Sequence, residues 1–344
     1  MKLSKLLYLL PALWLGQSPM SVSAQTVRAE HQLTVQTAVT DSITYSETDG
    51  QYTENLWRNG TIYQHRPVTE GASLLLDWTK PKEPTPGVVF AQGVTRESGW
   101  YDVNKKGDGR TGKDGEMCWA AACANMLEWW QDRYKERYGA LPATAITGAG
   151  KEYELALFEI YQTHWENYYG SEVYYGIPWY LTGEDRSENA MYVAHPIKPG
   201  GFFAEQWTEI SQQISDPYVY EVNGYATWGD GWEVDTSTPA WDIFSQIVID
   251  AIDHGMASIS IRVGYSNMHA ITLWGYELNE QGRVNKVYVT DSDDLISKPK
   301  EPRVQLMQEY EVVETNGRSI GIKGAYDGIN VITQIVPFKV NLPH

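Results

Sequence analysis

Residues 118–134, CWAAACANMLEWWQDRY, constrain the fold of this chain more than any other segment. The segment is rich in alanine and contains neither glycine nor proline, so its composition predicts an α-helix. It holds both cysteines of the chain, Cys118 and Cys123. Residues five apart on a helix point to different faces and are too far apart for a disulfide. The sequence therefore predicts a helix that carries two free thiols.

Cys118 stands where a glycine-rich loop is expected to become this helix. The preceding segment, residues 105–117, contains four glycines. At a helix N-terminus the positive end of the helix dipole stabilises a thiolate and lowers the pKa of the thiol. Cys118 is thus a candidate nucleophile, whereas Cys123, further along the helix, is better explained as a small buried side chain.

The N-terminus has the layout of a secretory signal peptide. MKLSK is a short positive segment, an apolar run follows, and VSA at residues 22–24 offers a small-x-small cleavage site before Gln25. The apolar run is shorter than the roughly 18 residues that a membrane-spanning helix needs. We therefore expect a secreted protein without a membrane anchor, whose mature chain starts near Gln25.

Three regions are expected along the chain: a signal peptide at 1–24, an N-terminal segment of uncertain order at 25–75, and a catalytic domain at 76–344. Further helices are predicted at 151–168 and 240–253. Beyond them the hydrophobic pattern alternates, which predicts strands at 257–263, 269–276, 284–291 and 329–340. Helices that come first and antiparallel strands that come later favour an α+β architecture.

A polar turn joins the predicted strands 269–276 and 284–291 into a β-hairpin. If the turn is centred on Glu280, His269 lies opposite Asp291, and the two side chains share one face at cross-strand distance. Asp293 has the same parity and would share that face. A carboxylate beside an imidazole orients the ring and stabilises its cationic form. His269 is therefore a candidate general base.

Three segments resemble a known family. GWYDVNK (99–105), MCWAAACANMLEWW (117–130) and NMHAITLWGYELNEQGRVNKVYVTDSDD (267–294) are similar to segments of the streptococcal immunoglobulin-degrading cysteine proteases, the IdeS/Mac family. TKPKEPTPGVVF (79–90) resembles the region ahead of that family's nucleophile. A cysteine followed by a distant histidine is also the order found in papain-like enzymes.

The resemblance implies a papain-like cysteine protease fold of the α+β class, with a helical lobe and an antiparallel sheet lobe. It implies that Cys118 is the nucleophile and His269 the general base. Asp291 would orient the imidazole, and Asp293 would be the second carboxylate of the TDSD motif. Lys105 would help to form the oxyanion hole with the backbone N–H of Cys118. From the sequence alone, a solvated loop lysine is the simpler interpretation of Lys105.

The chain departs from the family at Trp119, where the streptococcal enzymes have glycine. A bulky aromatic side chain directly after the nucleophile is expected to reshape the pocket beside the scissile bond. The aromatic stretches at 165–180 and 218–232 fit either a packed core or a surface that grips substrate. We favour the core for both stretches.

Charge and motifs exclude several classes of partner. The formal net charge of -17 opposes binding to phosphate backbones and to anionic membranes, so nucleic acid is not an expected partner. The GxGxxG match at residues 107–112 has no βαβ unit around it, and no paired-cysteine or HExxH metal motif occurs. We therefore expect neither a cofactor nor a metal.

The sequence predicts a secreted cysteine endopeptidase that cleaves a host protein, and the resemblance implies immunoglobulin, through its heavy chain, as that substrate. Two alternatives stay open. One is a protease of the same mechanism with a different substrate. The other is a catalytically silent, aromatic-rich secreted binding protein. The oligomeric state is not predicted.

Overall fold

A computed structural model describes most of the chain from residue 87 to residue 340. The described residues are 87–107, 114–151, 155–168, 173–188, 190, 193–214, 240–263, 267–293, 306–315, 319–326 and 328–340, together with the strand residues 43–48, 51–56, 62–64, 67–68 and 220–222. The signal peptide expected at 1–24 lies outside them. So do most of the N-terminal segment 25–75 and, from the second aromatic stretch, residues 223–232.

Helices dominate the described residues between 118 and 210. They are α1 (Cys118–Tyr138), α2 (Ala156–His164), α3 (Val173–Thr182) and α4 (Trp207–Ile210), with a 3-10 turn at Ala204–Gln206. Helix α1 ends at Gly139, whose φ of 83° favours glycine and whose N–H donates to the carbonyl of Lys135. Helices α2 and α3 both pack against α1, which is buried along most of its length.

Aromatic side chains fill the space between these helices. Trp119 meets Tyr161 and Trp165 edge-on, with ring centroids 5.7 and 4.9 Å apart. Trp165, Trp179 and Tyr180 are buried, so the prediction that the first aromatic stretch belongs to the core is confirmed for these three residues. Tyr168, Tyr174 and Tyr175 are half-buried and pack against that core. Trp119 is only 1% exposed and packs into this core; that it reshapes the pocket beside Cys118 stays a prediction.

Six short strands lie outside the antiparallel barrel that the second part of the chain forms, or pair with its strands. They are β1 (Ile43–Thr48), β2 (Gln51–Leu56), β3 (Ile62–Gln64), β4 (Pro67–Val68), β5 (Val88–Phe90) and β6 (Tyr220–Val222). Strands β1, β2 and β4 form a small separate sheet, whereas β3 pairs with β6.

The second part of the chain forms a closed barrel of six antiparallel strands. They are β7 (Gly255–Val263), β8 (Asn267–Leu278), β9 (Val284–Thr290), β10 (Gln308–Thr315), β11 (Ser319–Lys323) and β12 (Ile329–Lys339). Each strand pairs with the next, and β12 also pairs with β7, which closes the ring. Helix α5 (Ala240–Asp253) precedes β7 and packs on the barrel. Strand β6 pairs with β12, and strand β5 pairs with β8; neither β5 nor β6 is one of the six strands of the ring.

The predicted papain-like fold, with a helical lobe and an antiparallel sheet lobe, is wrong. The antiparallel strands close into a barrel, and α2, α3 and α4 are short helices of 9, 10 and 4 residues. The sequence pattern missed β10 and β11, through which the ring closes. Gly321 permits the closure, since a Cβ at that position would meet the carbonyl oxygen of Asn330 on β12 at 2.8 Å.

The predictions for single helices and strands agree with the structure better than the predicted fold does. The helix predicted at 118–134 is α1, and the helix predicted at 240–253 is α5. The four predicted strands correspond to β7, β8, β9 and β12. The helix predicted at 151–168 is shorter and forms α2. Both cysteines are free, as predicted. No helix in the described part of the chain has both the length and the apolar character needed to span a bilayer.

Gly176 allows α3 to approach α1 closely, so we predict that Gly176→Ala destabilises the protein. A Cβ there would lie 2.5 Å from the Sγ of Cys123 and 2.9 Å from the Cζ3 of Trp119. Overpacking of this kind costs about 1–3 kcal/mol, partly offset by the higher helix propensity of alanine. Urea unfolding measures the change. Cys123→Ala in the same background removes the nearest atom and should recover part of the loss; strictly additive effects would contradict this packing account.

Candidate active site

The loop before α1 is folded so that the helix begins at Cys118. The buried carboxylate of Asp114 accepts hydrogen bonds from the backbone N–H groups of Lys106 and Gly107 at 2.8 and 2.9 Å. Its backbone carbonyl accepts the N–H of Met117 at 2.9 Å. The first turn of α1 contains no acidic residue. The first turn of the helix therefore has no acidic side chain of its own to oppose the positive end of the helix dipole at Cys118.

Cys118 lies beside His269 of β8. Burial acts to raise the pKa of the Cys118 thiol. The hydrogen bond and positive charge of His269, the charge of Lys105 and the backbone N–H of Ala270 outweigh that effect and lower the pKa below its ordinary value. At Cys123 burial raises the pKa of the thiol and outweighs the hydrogen bond of Tyr161, which acts to lower it. The two thiols of one helix therefore differ in ionisation, as the sequence predicted.

His269 is held by Asp291, which follows β9. The Nε2 of His269 and the Oδ1 of Asp291 are 2.6 Å apart, and both residues are buried. Burial alone would lower the pKa of His269, but the charge and hydrogen bond of Asp291, together with Cys118, raise it well above its ordinary value. Burial likewise acts to raise the pKa of Asp291, and His269 brings it below the ordinary value. With Nε2 engaged by the carboxylate, Nδ1 is the ring nitrogen left to exchange a proton with Cys118.

Asp293 connects His269 to Lys105. Its Oδ1 lies 2.8 Å from the Nζ of Lys105, and its Oδ2 lies 3.6 Å from the Nδ1 of His269. The Lys105 ammonium also donates to the carbonyl of Gly115 at 2.7 Å, and the Lys105 backbone N–H donates to the carbonyl of Ser292 at 2.8 Å. Lys105 is 4% exposed, so the alternative of a solvated loop lysine is wrong.

Asn125, two turns into α1, joins the three chain segments that carry these groups. Its Oδ1 accepts the backbone N–H of Val103 at 3.1 Å. Its Nδ2 donates to the hydroxyl oxygens of Thr272 on β8 and Thr290 on β9, at 3.1 and 3.4 Å. Thr290 in turn donates to the carbonyl of Tyr101 at 2.9 Å. Sequence reasoning missed Asn125, although a polar side chain on an otherwise apolar helix face could have indicated a buried contact.

The predicted contact between His269 and Asp291 is present, but the predicted register of the hairpin is wrong. Thr272 lies opposite Thr290 rather than opposite Tyr288, and the register shifts again along the hairpin. A displacement of two residues leaves the period of side-chain alternation intact. His269, Asp291 and Asp293 therefore still share one face of the hairpin.

These same three residues form the one group within the described residues whose ligand atoms, all within 4.8 Å of one another, could hold a metal ion. A cation would have to compete there with the Lys105 ammonium for Asp293 and with the imidazolium for Asp291. The donor set is thus already charge-matched by protein groups. The arrangement fits a thiolate–imidazolium site better than a metal centre.

Comparison with known proteins agrees with this geometry. The model of the family described as Mac 1 matches residues 18–177 and 240–319. The chain belongs to the Mac 1 family. Within the described residues, the matched ranges include Lys105, Cys118, His269, Asp291 and Asp293. The family-level expectation drawn from the sequence is therefore confirmed.

A curated relative of this Mac 1 chain is the IgM protease of Streptococcus suis (strain P1/7). The two are 27% identical over 214 residues, which cover 57% of this chain. The aligned region covers 18% of the relative. The chain therefore corresponds to less than one fifth of that longer protein.

The pKa values of the two thiols predict selective alkylation. Iodoacetamide at about pH 6.5 should modify Cys118 and leave Cys123 intact, because only Cys118 has a pKa below that of an ordinary thiol. The Cys118 rate should fall as the pH drops through that lowered pKa. His269→Ala removes the counter-charge and should slow alkylation by about tenfold for each unit by which the pKa rises. Peptide mass spectrometry measures both sites; equal reactivity of the two thiols would refute the assignment.

Proposed function

We propose that this chain is a cysteine endopeptidase that cleaves an immunoglobulin heavy chain, with Cys118 as nucleophile and His269 as general base. The observation that carries the proposal is one connected arrangement. Cys118 begins helix α1 beside His269, and the Nε2 of His269 is 2.6 Å from the Oδ1 of Asp291. Nucleophile, base and orienting carboxylate in this order are the requirements for nucleophilic catalysis by a thiol.

In the proposed reaction the Cys118 thiolate attacks the carbonyl carbon of the scissile peptide bond. The C–N bond then breaks as the His269 imidazolium gives its proton to the leaving amine. The acyl group remains on Cys118 as a thioester. Water attacks the thioester while neutral His269 accepts a proton from it, and the peptide acid leaves with the thiolate restored. Asp291 stays ionised throughout and keeps Nε2 of His269 protonated.

The negative oxygen that develops on the substrate carbonyl needs donors. The backbone N–H of Cys118 lies in the first turn of α1, where amides have no carbonyl partner within the helix. Lys105 carries three N–H bonds on its ammonium, and Asp293 and Gly115 engage two of them. The third is left for the oxyanion. Asp293 then has a double role, since it holds Lys105 in place and offsets its repulsion with the imidazolium.

The proposed substrate rests on similarity as well as on geometry. The Streptococcus suis relative is an IgM protease by name, and the aligned region includes 57% of this chain. The expected secretion would bring the enzyme into contact with immunoglobulins. We therefore propose immunoglobulin as the substrate class and the heavy chain as the polypeptide that is cut.

The first test incubates the purified chain, under mild reductant, with intact IgM, IgG and IgA from several hosts and with casein. We expect a single pair of heavy-chain fragments from at least one immunoglobulin, and none with Cys118→Ala. Gel electrophoresis and N-terminal sequencing identify the cut. Cleavage of casein but no immunoglobulin would keep the chemistry and refute the substrate. Absence of cleavage by a folded wild type would favour the binding-protein alternative.

Lys105 provides a separate test of the oxyanion donor. Lys105→Met keeps the length of the side chain and removes the charge, and we expect kcat to fall by about 10²–10³-fold with little change in KM. Lys106→Met is the matched control, because this neighbouring lysine is exposed and should retain wild-type kcat. Equal kcat values for the two variants would exclude Lys105 from the oxyanion hole.

A further inference from the structure

Tyr326 contacts the candidate site from the turn between β11 and β12. Its hydroxyl donates to the Oδ2 of Asp291 at 3.0 Å. Its ring meets the imidazole of His269 edge-on, with centroids 5.8 Å apart and an interplanar angle of 82°. The strand pair that closes the barrel thus brings a tyrosine to the carboxylate that orients the histidine.

The two oxygens of Asp291 are held differently. Its Oδ1 accepts from the Nε2 of His269 at 2.6 Å and from the backbone N–H of Asp293 at 2.9 Å. Its Oδ2 accepts the Tyr326 hydroxyl. A carboxylate held at one oxygen can rotate about its Cβ–Cγ bond, whereas a donor at each oxygen fixes its plane. Asp291 is 3% exposed, so bulk water has little access to take over the role of the hydroxyl.

The turn itself is anchored to the barrel. The buried side chain of Asn330 accepts the backbone N–H of Tyr326 at 3.1 Å and donates to the carbonyl of Arg262 on β7 at 3.0 Å. Strand β7 pairs with β8, which carries His269. The position of the Tyr326 hydroxyl is therefore set by the same strands that position the imidazole.

We propose that Tyr326 is a positioning residue of the thiol site, whose hydroxyl fixes the Asp291 carboxylate and, through it, the orientation of His269. This inference rests on the proposed function in so far as Cys118 and His269 are the reacting pair. Burial and the negative charge of Asp291 raise the pKa of Tyr326 above its ordinary value, so its hydroxyl remains a donor at neutral pH. The other titratable groups that face this cluster are Lys105, Cys118, His269, Asp293 and Tyr310.

A purely structural tyrosine would behave differently. If Tyr326 only filled the end of the barrel, its ring would suffice, and loss of the hydroxyl would change at most the amount of folded protein. A positioning residue changes the chemistry of each folded molecule. With a rotating carboxylate, the imidazolium is stabilised less, so the thiolate of Cys118 loses part of its counter-charge and its pKa rises.

The test is the pH dependence of Cys118 alkylation by iodoacetamide in Tyr326→Phe, expressed per reactive thiol so that misfolded protein does not contribute. We expect the midpoint of the rate profile to move up by roughly half a unit to one unit, which slows alkylation below the midpoint by roughly three- to tenfold. Tyr288→Phe is the matched control. Its hydroxyl also donates to a carboxylate, Glu277 at 3.2 Å, elsewhere on the barrel, and its profile should match the wild type.

Asp291→Ala completes a double-mutant cycle. If Tyr326 acts through Asp291, Tyr326→Phe should have no further effect on the alkylation profile once Asp291 is removed. A wild-type midpoint in Tyr326→Phe, or an effect of equal size in both backgrounds, would overturn the proposal. Ordinary thiol reactivity of wild-type Cys118 would instead overturn the proposed function, and the wild-type profile alone reveals that outcome.

Discussion

Alternating charge within a buried cluster is the constraint on which the rest of the candidate site depends. His269 lies between Cys118 and Asp291, and the Lys105 ammonium pairs with Asp293. Burial of an unpaired ion costs several kcal/mol. Each charge is therefore stable only while its neighbours of opposite sign remain in place. The same alternation lowers the pKa of the thiol and raises that of the imidazole, which is the condition a thiolate nucleophile needs at neutral pH.

The fold brings these charges together from distant parts of the chain. Cys118 and Lys105 come from helix α1 and the segment before it, whereas His269 and Asp291 come from the barrel. Asn125 makes the two parts one unit, because its single amide bonds to the Lys105 segment and to both hairpin strands. Helix α1 also packs directly on β8, whereas on the α3 side of the same helix the close approach depends on the absent side chain at position 176.

Local sequence signals predicted the pieces of this site but not their assembly. The alanine-rich helix with a cysteine at its N-terminus follows from composition. The contact of His269 with Asp291 was predicted correctly although the register was wrong, because a shift of two residues leaves a side chain on the same face of a strand. Closure of the barrel could not be predicted, since it depends on the close approach of β11 and β12 at Gly321. Tyr326 was missed for the same reason, and so were the partners of Asn125, although its polar side chain on an apolar helix face could have indicated a buried contact. The roles of both residues come from partners far away in the sequence, which no periodic pattern encodes.

Trp119 is the position at which the chain departs from the enzymes that it resembles. It stands where the resembling enzymes have glycine, and its ring lies among Tyr161 and Trp165 in the helical core. Gly176 provides the space, because even a methyl group there would lie 2.9 Å from the ring. The large side chain of Trp119 and the missing side chain on α3 therefore compensate for each other within the core. The departure from the resembling enzymes at position 119 is therefore accommodated within the core.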